Sequence, residues 1–384
     1  MNVLSPAIAA NFAAISYESL DKRGLRANPY FERISSLFSF ESESIKGVSG
    51  SILERVFNHS TNFGCSAEGK IRAYEDEDDY VLALRGTAKV RDVVTDLHCG
   101  LSTCSNNQPV HAGFNHTFNS FKNQLELYFK KSTKKKLNIH VVGHSLGGAL
   151  ANLAANWLKQ RFGANVKLYT FGAPRVGYNS FAVKTESATD NNIYRCVHAA
   201  DPVPLVPVWP FMHTEQEYIL HGAATITPKA HSMTNETPGY LHTASNFKSY
   251  SASNKGMEKR IQEKVRLDYD RRLECSRTSK WARKIGAALI THLRDTGKLY
   301  AIQNHLSNAL TVYDQIAKAL ADSIDFSKNC TKDIKGILGH ILTFCGYPFK
   351  VISFTYASIR HILQLMLKNI FALAGEAIAL AKPS

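Results

Sequence analysis

The 384-residue sequence predicts an α/β domain with a mostly parallel sheet, followed by an all-helical C-terminal region. Three observations predict it. Up to about residue 250, short β-branched runs alternate with helical patterns, as crossover helices between parallel strands require. Residues 137–142 (LNIHVV) form a strand pattern that passes through a Gly-rich turn directly into an Ala/Leu-rich helical pattern. Beyond residue 255, apolar side chains recur at helical spacing, as in Ile302, Leu306, Leu310, Tyr313, Ile316, Leu320 and Ile324.

In chain order, the N-terminal residues MNVLSPAIAANFAAISYESL lack the Lys/Arg start of a secretory signal, and their Ala-rich stretch suits an amphipathic first helix. That predicts a cytoplasmic protein, or one exported by a signal-independent route. Residues 69–74 and 80–84 flank the acidic turn EDEDD and predict a hairpin. Residues 137–142, 166–171 and 192–197 are the later strands. The polar segment 248–255 (KSYSASNK) reads as a linker, which divides the chain into domains 1–250 and 251–384. Pro348 is expected to split the last greasy region into two helices, because it cannot donate an interior helix hydrogen bond.

Composition narrows the classes. At 44% apolar and 10% aromatic residues, general disorder is excluded. No uncharged apolar run reaches the roughly 20 residues of a membrane span. The formal charge of +14 is lopsided: residues 251–384 hold 21 Lys+Arg against 11 Asp+Glu, a net of +10. Residues 1–250 therefore carry only +4. Such an excess attracts phosphate polyanions, whether lipid or nucleic acid. The basic residues are not interleaved with aromatics in any nucleic-acid module, so nucleic acid is not expected as a partner. Seven scattered cysteines form no CxxC pair and no zinc spacing, and read as reduced, mostly buried thiols.

The chemistry-bearing motif is Gly143-His144-Ser145-Leu146-Gly147. It is G-x-S-x-G in the strand–turn–helix setting that exposes a nucleophile at a sheet edge. Gly143 and Gly147 must be small for the turn to close, and His144 is the elbow residue between strand and serine. The helix beginning at Leu146 aims free N–H groups and its positive dipole end at a developing oxyanion. A serine nucleophile needs a base, and the base needs an orienting carboxylate. Asp201, just past the 192–197 strand and stiffened by Pro202 and Pro204, suits the carboxylate. His213, His221, His231 and His242 all follow it and all remain candidates for the base.

Five segments, VLALRGT (81–87), VHAGF (110–114), GHSLGG (143–148), TFGAPRVGYNSF (170–181) and YRCVHAADPVP (194–204), together resemble the class 3 lipase family. The resemblance covers roughly residues 65–250 and implies an α/β-hydrolase fold and carboxylic ester hydrolysis on glycerolipids, as a lipase or a phospholipase A. It implies Ser145 as nucleophile, Asp201 as orienter, and an oxyanion hole from the N–H groups of Thr87 and Leu146. Arg85 is expected to be structural, and so is the histidine of FMHTEQEY, His213. His242, in GYLHTASNF, fits the family's catalytic histidine best, with His231 second. No metal or organic cofactor is implied.

Residues 88–97 (AKVRDVVTDL) place Val90, Val93, Val94 and Leu97 on one helical stripe where the family carries its lid. The resemblance stops near residue 250. The C-terminal helices are expected to be a helical cap on the enzyme core, a membrane-surface module, or a surface for a delivery, inhibitor or immunity protein. The rival to the enzyme reading is a membrane- or partner-binding, effector-like protein on a hydrolase scaffold. Either way, action at membranes is expected.

Overall fold

A computed structural model describes residues 2–17, 34–35, 38–40, 45–48, 60–69, 79–86, 100–132, 136–222, 225–234, 239–257, 263–304, 312–324 and 326–380. Its first half runs α1 (Pro6–Ile15), β1 (Phe38–Phe40), β2 (Ile45–Val48), β3 (Ser60–Gly69), β4 (Asp79–Leu84), β5 (Leu101–Thr103), β6 (Pro109–His111), α2 (Ala112–Lys130), β7 (Asn138–His144) and α3 (Leu146–Phe162). The chain continues through β8 (Asn165–Phe171), α4 (Asn179–Ala188), β9 (Ile193–His198), β10 (Gln216–His221), α5 (Tyr240–Ser245) and β11 (Asn254–Met257). Five helices follow: α6 (Ser279–Asp295), α7 (Leu299–Asn304), α8 (Val312–Ser323), α9 (Lys328–Phe344) and α10 (Tyr356–Leu380).

The main sheet has the order β1-β3-β4-β7-β8-β9-β10-β11, with β2 also paired to β3. Its centre, β4 through β10, is parallel. Antiparallel strands close both ends. This is the predicted α/β class, and the strands expected at 137–142, 166–171 and 192–197 are β7, β8 and β9. The predicted hairpin exists as β3 against β4, with Glu68 opposite Tyr80. Its first strand as described is Ser60–Gly69, and residues 70–78, which hold the rest of the expected 69–74 strand, lie outside the described residues.

The period of two along each strand sorts side chains to two cores. Leu82, Leu84, Ile139, Val141, Val166 and Leu168 face one core with α2 and α3. Val81, Ala83, Val142, Tyr169 and Phe171 face the other, which α1 fills. On α2 the buried residues Phe114, Phe118, Phe121, Leu125 and Phe129 form a single stripe. Helix α1 is not amphipathic as expected. Ala9, Ala10, Phe12, Ala13, Ala14 and Ile15 are all buried, because small side chains let it seat closely against the sheet.

The segment 248–255 is not a linker. It holds a 3-10 turn, Tyr250–Ala252, and leads into β11, so the sheet crosses the expected boundary at residue 250. Tyr250 is buried among the rings of Tyr194 (4.4 Å between centroids) and Tyr218 (5.2 Å). The C-terminal helices share the α2–α3 core rather than enclosing a separate one. As expected, Pro348 lies between two helices, α9 and α10. Helix α10 is long and apolar enough to cross a membrane, although Arg360, Lys368 and Glu376 interrupt it, and 56% of its most apolar window is buried against the protein.

An ion-paired contact fixes the appendage to the sheet. Arg283 of α6 donates from both terminal nitrogens to Glu217 of β10, at 2.6 and 3.0 Å. Arg195 of β9 donates to the same carboxylate at 3.0 Å.

Candidate active site

Strand β7 delivers Ser145 at the C-terminal edge of the parallel sheet. The serine has φ 58° and ψ −131°, a left-handed-side conformation that costs a non-glycine residue roughly 1–3 kcal/mol. The neighbours explain why the turn still closes. A Cβ on Gly143 would lie 2.2 Å from the Gly147 carbonyl oxygen, and one on Gly147 would lie 2.0 Å from that of Leu84. The Ser145 N–H donates to Phe171 O at 3.0 Å, which ties the elbow to β8. Leu146 opens α3, so its N–H belongs to the first turn that has no intrahelical acceptor.

Ser145 Oγ donates to His231 Nε2 across 2.8 Å. His231 Nδ1 donates to Asp201 Oδ2, also at 2.8 Å. Asp201 accepts two more hydrogen bonds, from the Tyr240 hydroxyl at 2.7 Å on Oδ2 and from the Val203 N–H at 2.8 Å on Oδ1. The carboxylate is thus held by three donors on two oxygens. Gly172, at φ +56°, makes room for it, because a Cβ there would meet Asp201 Oδ2 at 2.6 Å and His231 Nδ1 at 3.0 Å.

The structure therefore brings His231, and not the expected His242, to Ser145 and Asp201. His242 lies on α5, whose Tyr240, Leu241, Thr243 and Ala244 are buried while His242 is exposed on the opposite face. His231 ends a 3-10 turn, Pro228–His231, that returns over the sheet edge. His213 is structural, as the resemblance implied: it is buried and its Nε2 donates to Pro204 O at 2.9 Å. Thr87 and the lid candidates Val90, Val93, Val94 and Leu97 lie outside the described residues.

Two further histidines grip the turn that carries His231: His144, expected only as the elbow residue, and His198, which no sequence pattern marks. His144 Nε2 donates to the carbonyl of His231 at 2.9 Å, and its Nδ1 accepts from the Tyr17 hydroxyl at 2.7 Å. His198 Nδ1 donates to the carbonyl of Ala230 at 2.7 Å, and its ring stacks on Tyr240 at 3.8 Å between centroids. Burial lowers both imidazoles: His144 falls well below its ordinary value, and His198 is lowered to about 4. Each is neutral at pH 7, as a buried ring donating to one carbonyl should be. Burial also raises the Tyr240 hydroxyl well above its ordinary value, with the Asp201 carboxylate adding to the effect, so it stays a donor.

The C-terminal region reaches this site. Helix α10 packs against both the Pro228–His231 turn and the Val203–Leu205 turn that follows Asp201. Ser279 Oγ donates to Ala199 O at 2.5 Å, and Ile226 N–H donates to Arg277 O at 3.0 Å. Between the 205–212 segment and α6, α8 and α10 lies a cavity of about 350 Å³, lined by Leu205, Trp209, Met212, Gly286 and Leu367 among others. Ser145, Asp201 and His231 are not among its lining residues. Among the described residues no group of His, Cys, Asp or Glu is arranged to hold a metal ion.

A strained serine at a β-turn-α elbow, joined through histidine to aspartate at the edge of a parallel sheet, defines the geometry of an α/β serine hydrolase. Residues 81–211 match the family described as Lipase (class 3). The secreted mono- and diacylglycerol lipase 1 of Fusarium solani is 35% identical over 150 residues, covering 38% of this chain and 44% of that protein. The lipase of Rhizopus oryzae is 33% identical over 165 residues, covering 40% and 41% respectively. The chain thus spans less than half the length of these curated relatives. Among solved structures, the lipase from Rhizopus microsporus var. chinensis aligns at 26% identity with a TM-score of 0.41, over 56% of this chain and 72% of that one. The relatives overturn the expectation of a cytoplasmic or signal-independent protein: those from Fusarium solani, Penicillium cyclopium and Penicillium camembertii are named as secreted.

Proposed function

We propose that the protein hydrolyses acyl esters of glycerolipids through an acyl-enzyme. The observation that carries this reading is the Ser145–His231–Asp201 chain, with 2.8 Å at each link. Ser145 Oγ attacks the ester carbonyl while His231 takes its proton. Asp201 fixes the imidazole tautomer and stabilises the imidazolium that forms. The Leu146 N–H, with that of Thr87 as the resemblance implies, holds the tetrahedral oxyanion; a preorganised donor of this kind contributes about 3 kcal/mol. His231 then protonates the leaving alcohol, and water clears the acyl-enzyme by the same steps in reverse. Because Ser145 is only 2% exposed, an ester carbonyl reaches Oγ only after the site opens. The cavity beside the 205–212 segment is our choice of receptacle for the acyl chain.

Relatives named as mono- and diacylglycerol lipases favour neutral partial glycerides, whereas the basic C-terminal region favours phospholipids. The relatives' secretion supports an extracellular place of action. Residues 251–384 serve this reading as a buttress for the triad turns, and that role weakens the alternative of a binding protein on a vestigial scaffold. The test is product analysis after incubation with mixed diacylglycerol and phospholipid. Free fatty acid is expected from the unaltered protein and none from Ser145→Ala. Lysophospholipid among the products would select phospholipase A, and equal turnover by Ser145→Ala would overturn the proposal.

A further inference from the structure

Large apolar side chains exposed singly are ordinary, but a fixed cluster of them is not. Among the described residues one such cluster stands out: Tyr347 is 51% exposed, Phe349 78% and Val351 88%, all within the turn joining α9 to α10. The backbone pins this turn. Gly346 (φ +90°) N–H donates to Thr343 O at 3.0 Å, Tyr347 N–H to Leu342 O at 2.8 Å, and Lys350 N–H to Tyr347 O at 3.2 Å. Arg272 Nε donates to Pro348 O at 3.1 Å, and its guanidinium lies 4.1 Å from the Tyr269 ring centroid. Ile352 and Phe354 are half-buried against the core and anchor the far side. The tip is held outward by its own hydrogen bonds.

Cations lie at and beside the tip, and the exposed acids Asp268, Asp270 and Glu274 share the adjoining 268–274 segment with Arg271 and Arg272. Lys350 sits between the two most exposed residues. Arg272 holds the turn, and Lys335 lies 4.4 Å from the same Tyr269 ring. Arg271, next in line, is paired with Glu274 at 2.7 Å. An apolar tip that carries Lys350, with Arg272 and Lys335 beside it, is complementary to the interface of an anionic bilayer, where aromatic and aliphatic side chains enter the headgroup–acyl boundary and cations meet phosphate. A second copy of the chain is a poorer fit: three side chains fall well short of the roughly 800 Å² per partner that a stable protein interface needs.

We propose that the α9–α10 turn is a membrane-docking element that inserts Phe349 and Val351 into an anionic lipid surface. It stands apart from the triad and does not depend on the catalytic reading. The test uses the full chain carrying Ser145→Ala, so that vesicles are not consumed, and co-sedimentation with phosphatidylcholine/phosphatidylglycerol vesicles. Phe349→Asp with Val351→Asp should lower vesicle affinity at least ten-fold while thermal melting is unchanged, and Lys350→Glu should lower it less and more strongly at low salt. As a non-disruptive check, Phe349→Trp should bring indole emission that blue-shifts on vesicle addition and is quenched by brominated acyl chains. Absence of vesicle binding by the parent protein, unchanged binding by the double variant, no blue shift, or dimerisation that the double variant abolishes would each overturn the proposal.

Discussion

The Tyr17 hydroxyl lies 2.7 Å from His144 Nδ1, and through this contact two halves of the candidate site are wired together. The same hydroxyl accepts from the Gly86 N–H at 3.2 Å, one residue before Thr87, for which the family resemblance implies an oxyanion-hole role. On the other side of its ring, His144 donates to the carbonyl of His231. A chain of three hydrogen bonds thus runs from the end of β4 to the turn bearing the base. Tyr17→Phe removes the middle member and leaves the Gly86 N–H and His144 Nδ1 without it. We expect a destabilisation of about 1–3 kcal/mol and roughly ten-fold lower kcat, read by thermal melting and by turnover of a soluble ester. Unchanged kcat with lowered stability would reduce Tyr17 to a packing residue.

His198 makes stability depend on acid. Its folded-state pKa is lowered to about 4 from 6.5, so between those values the unfolded chain binds the extra proton. Stability is then complete above about pH 6.5 and is lost as pH falls toward 4, and a difference in proton affinity of that size corresponds to about 3 kcal/mol. Buried His144, also lowered, adds in the same direction. Melting temperature should fall over this window, and a His198→Asn variant should show a shallower fall.

Glu217 is buried at 2% exposure between Arg195 and Arg283. Arg195, 3% exposed, donates to this carboxylate at 3.0 Å, so the pair is buried on both sides. Glu217→Gln should therefore destabilise by about 3 kcal/mol, because removing one charge of a buried ion pair is costly. Denaturant unfolding measures it directly. Loosening of α6 from β10 should be visible as faster proteolysis within the C-terminal helices.

Gly286 lines the apolar cavity, and a Cβ placed there meets nothing within 4 Å. Gly286→Phe should fill that space without a backbone clash. If the cavity receives the acyl chain, kcat/KM for long-chain esters should drop about ten-fold while that for acetyl or butyryl esters is retained. An equal effect at every chain length would separate the cavity from the substrate.

Much of this architecture was legible because it is local. The apolar runs that became β7, β8 and β9 needed only their own periodicity, and the elbow needed only two glycines at the right spacing around Ser145. The choice of base was not local. Thirty positions separate His231 from Asp201, and only the path of the turn over the sheet edge decides which histidine returns. One signal was available: Tyr240, Leu241 and Ala244 mark the buried face of a short helix, and His242 falls on the other face. The polar run 248–255 hid a strand because β11 is an edge strand, and its one buried ring, Tyr250, finds partners far away in sequence. The gripping roles of His144 and His198 follow from tertiary contacts, with no sequence pattern of their own.

The most direct test of the central claim compares His231→Ala with His242→Ala on a chromogenic short-chain ester, with folding checked by thermal melting. Loss of the triad base costs roughly 10⁴-fold or more in kcat. That loss is expected for His231→Ala, and near-normal turnover for the surface variant His242→Ala. Near-normal turnover by a folded His231→Ala protein, with activity lost instead in His242→Ala, would contradict it.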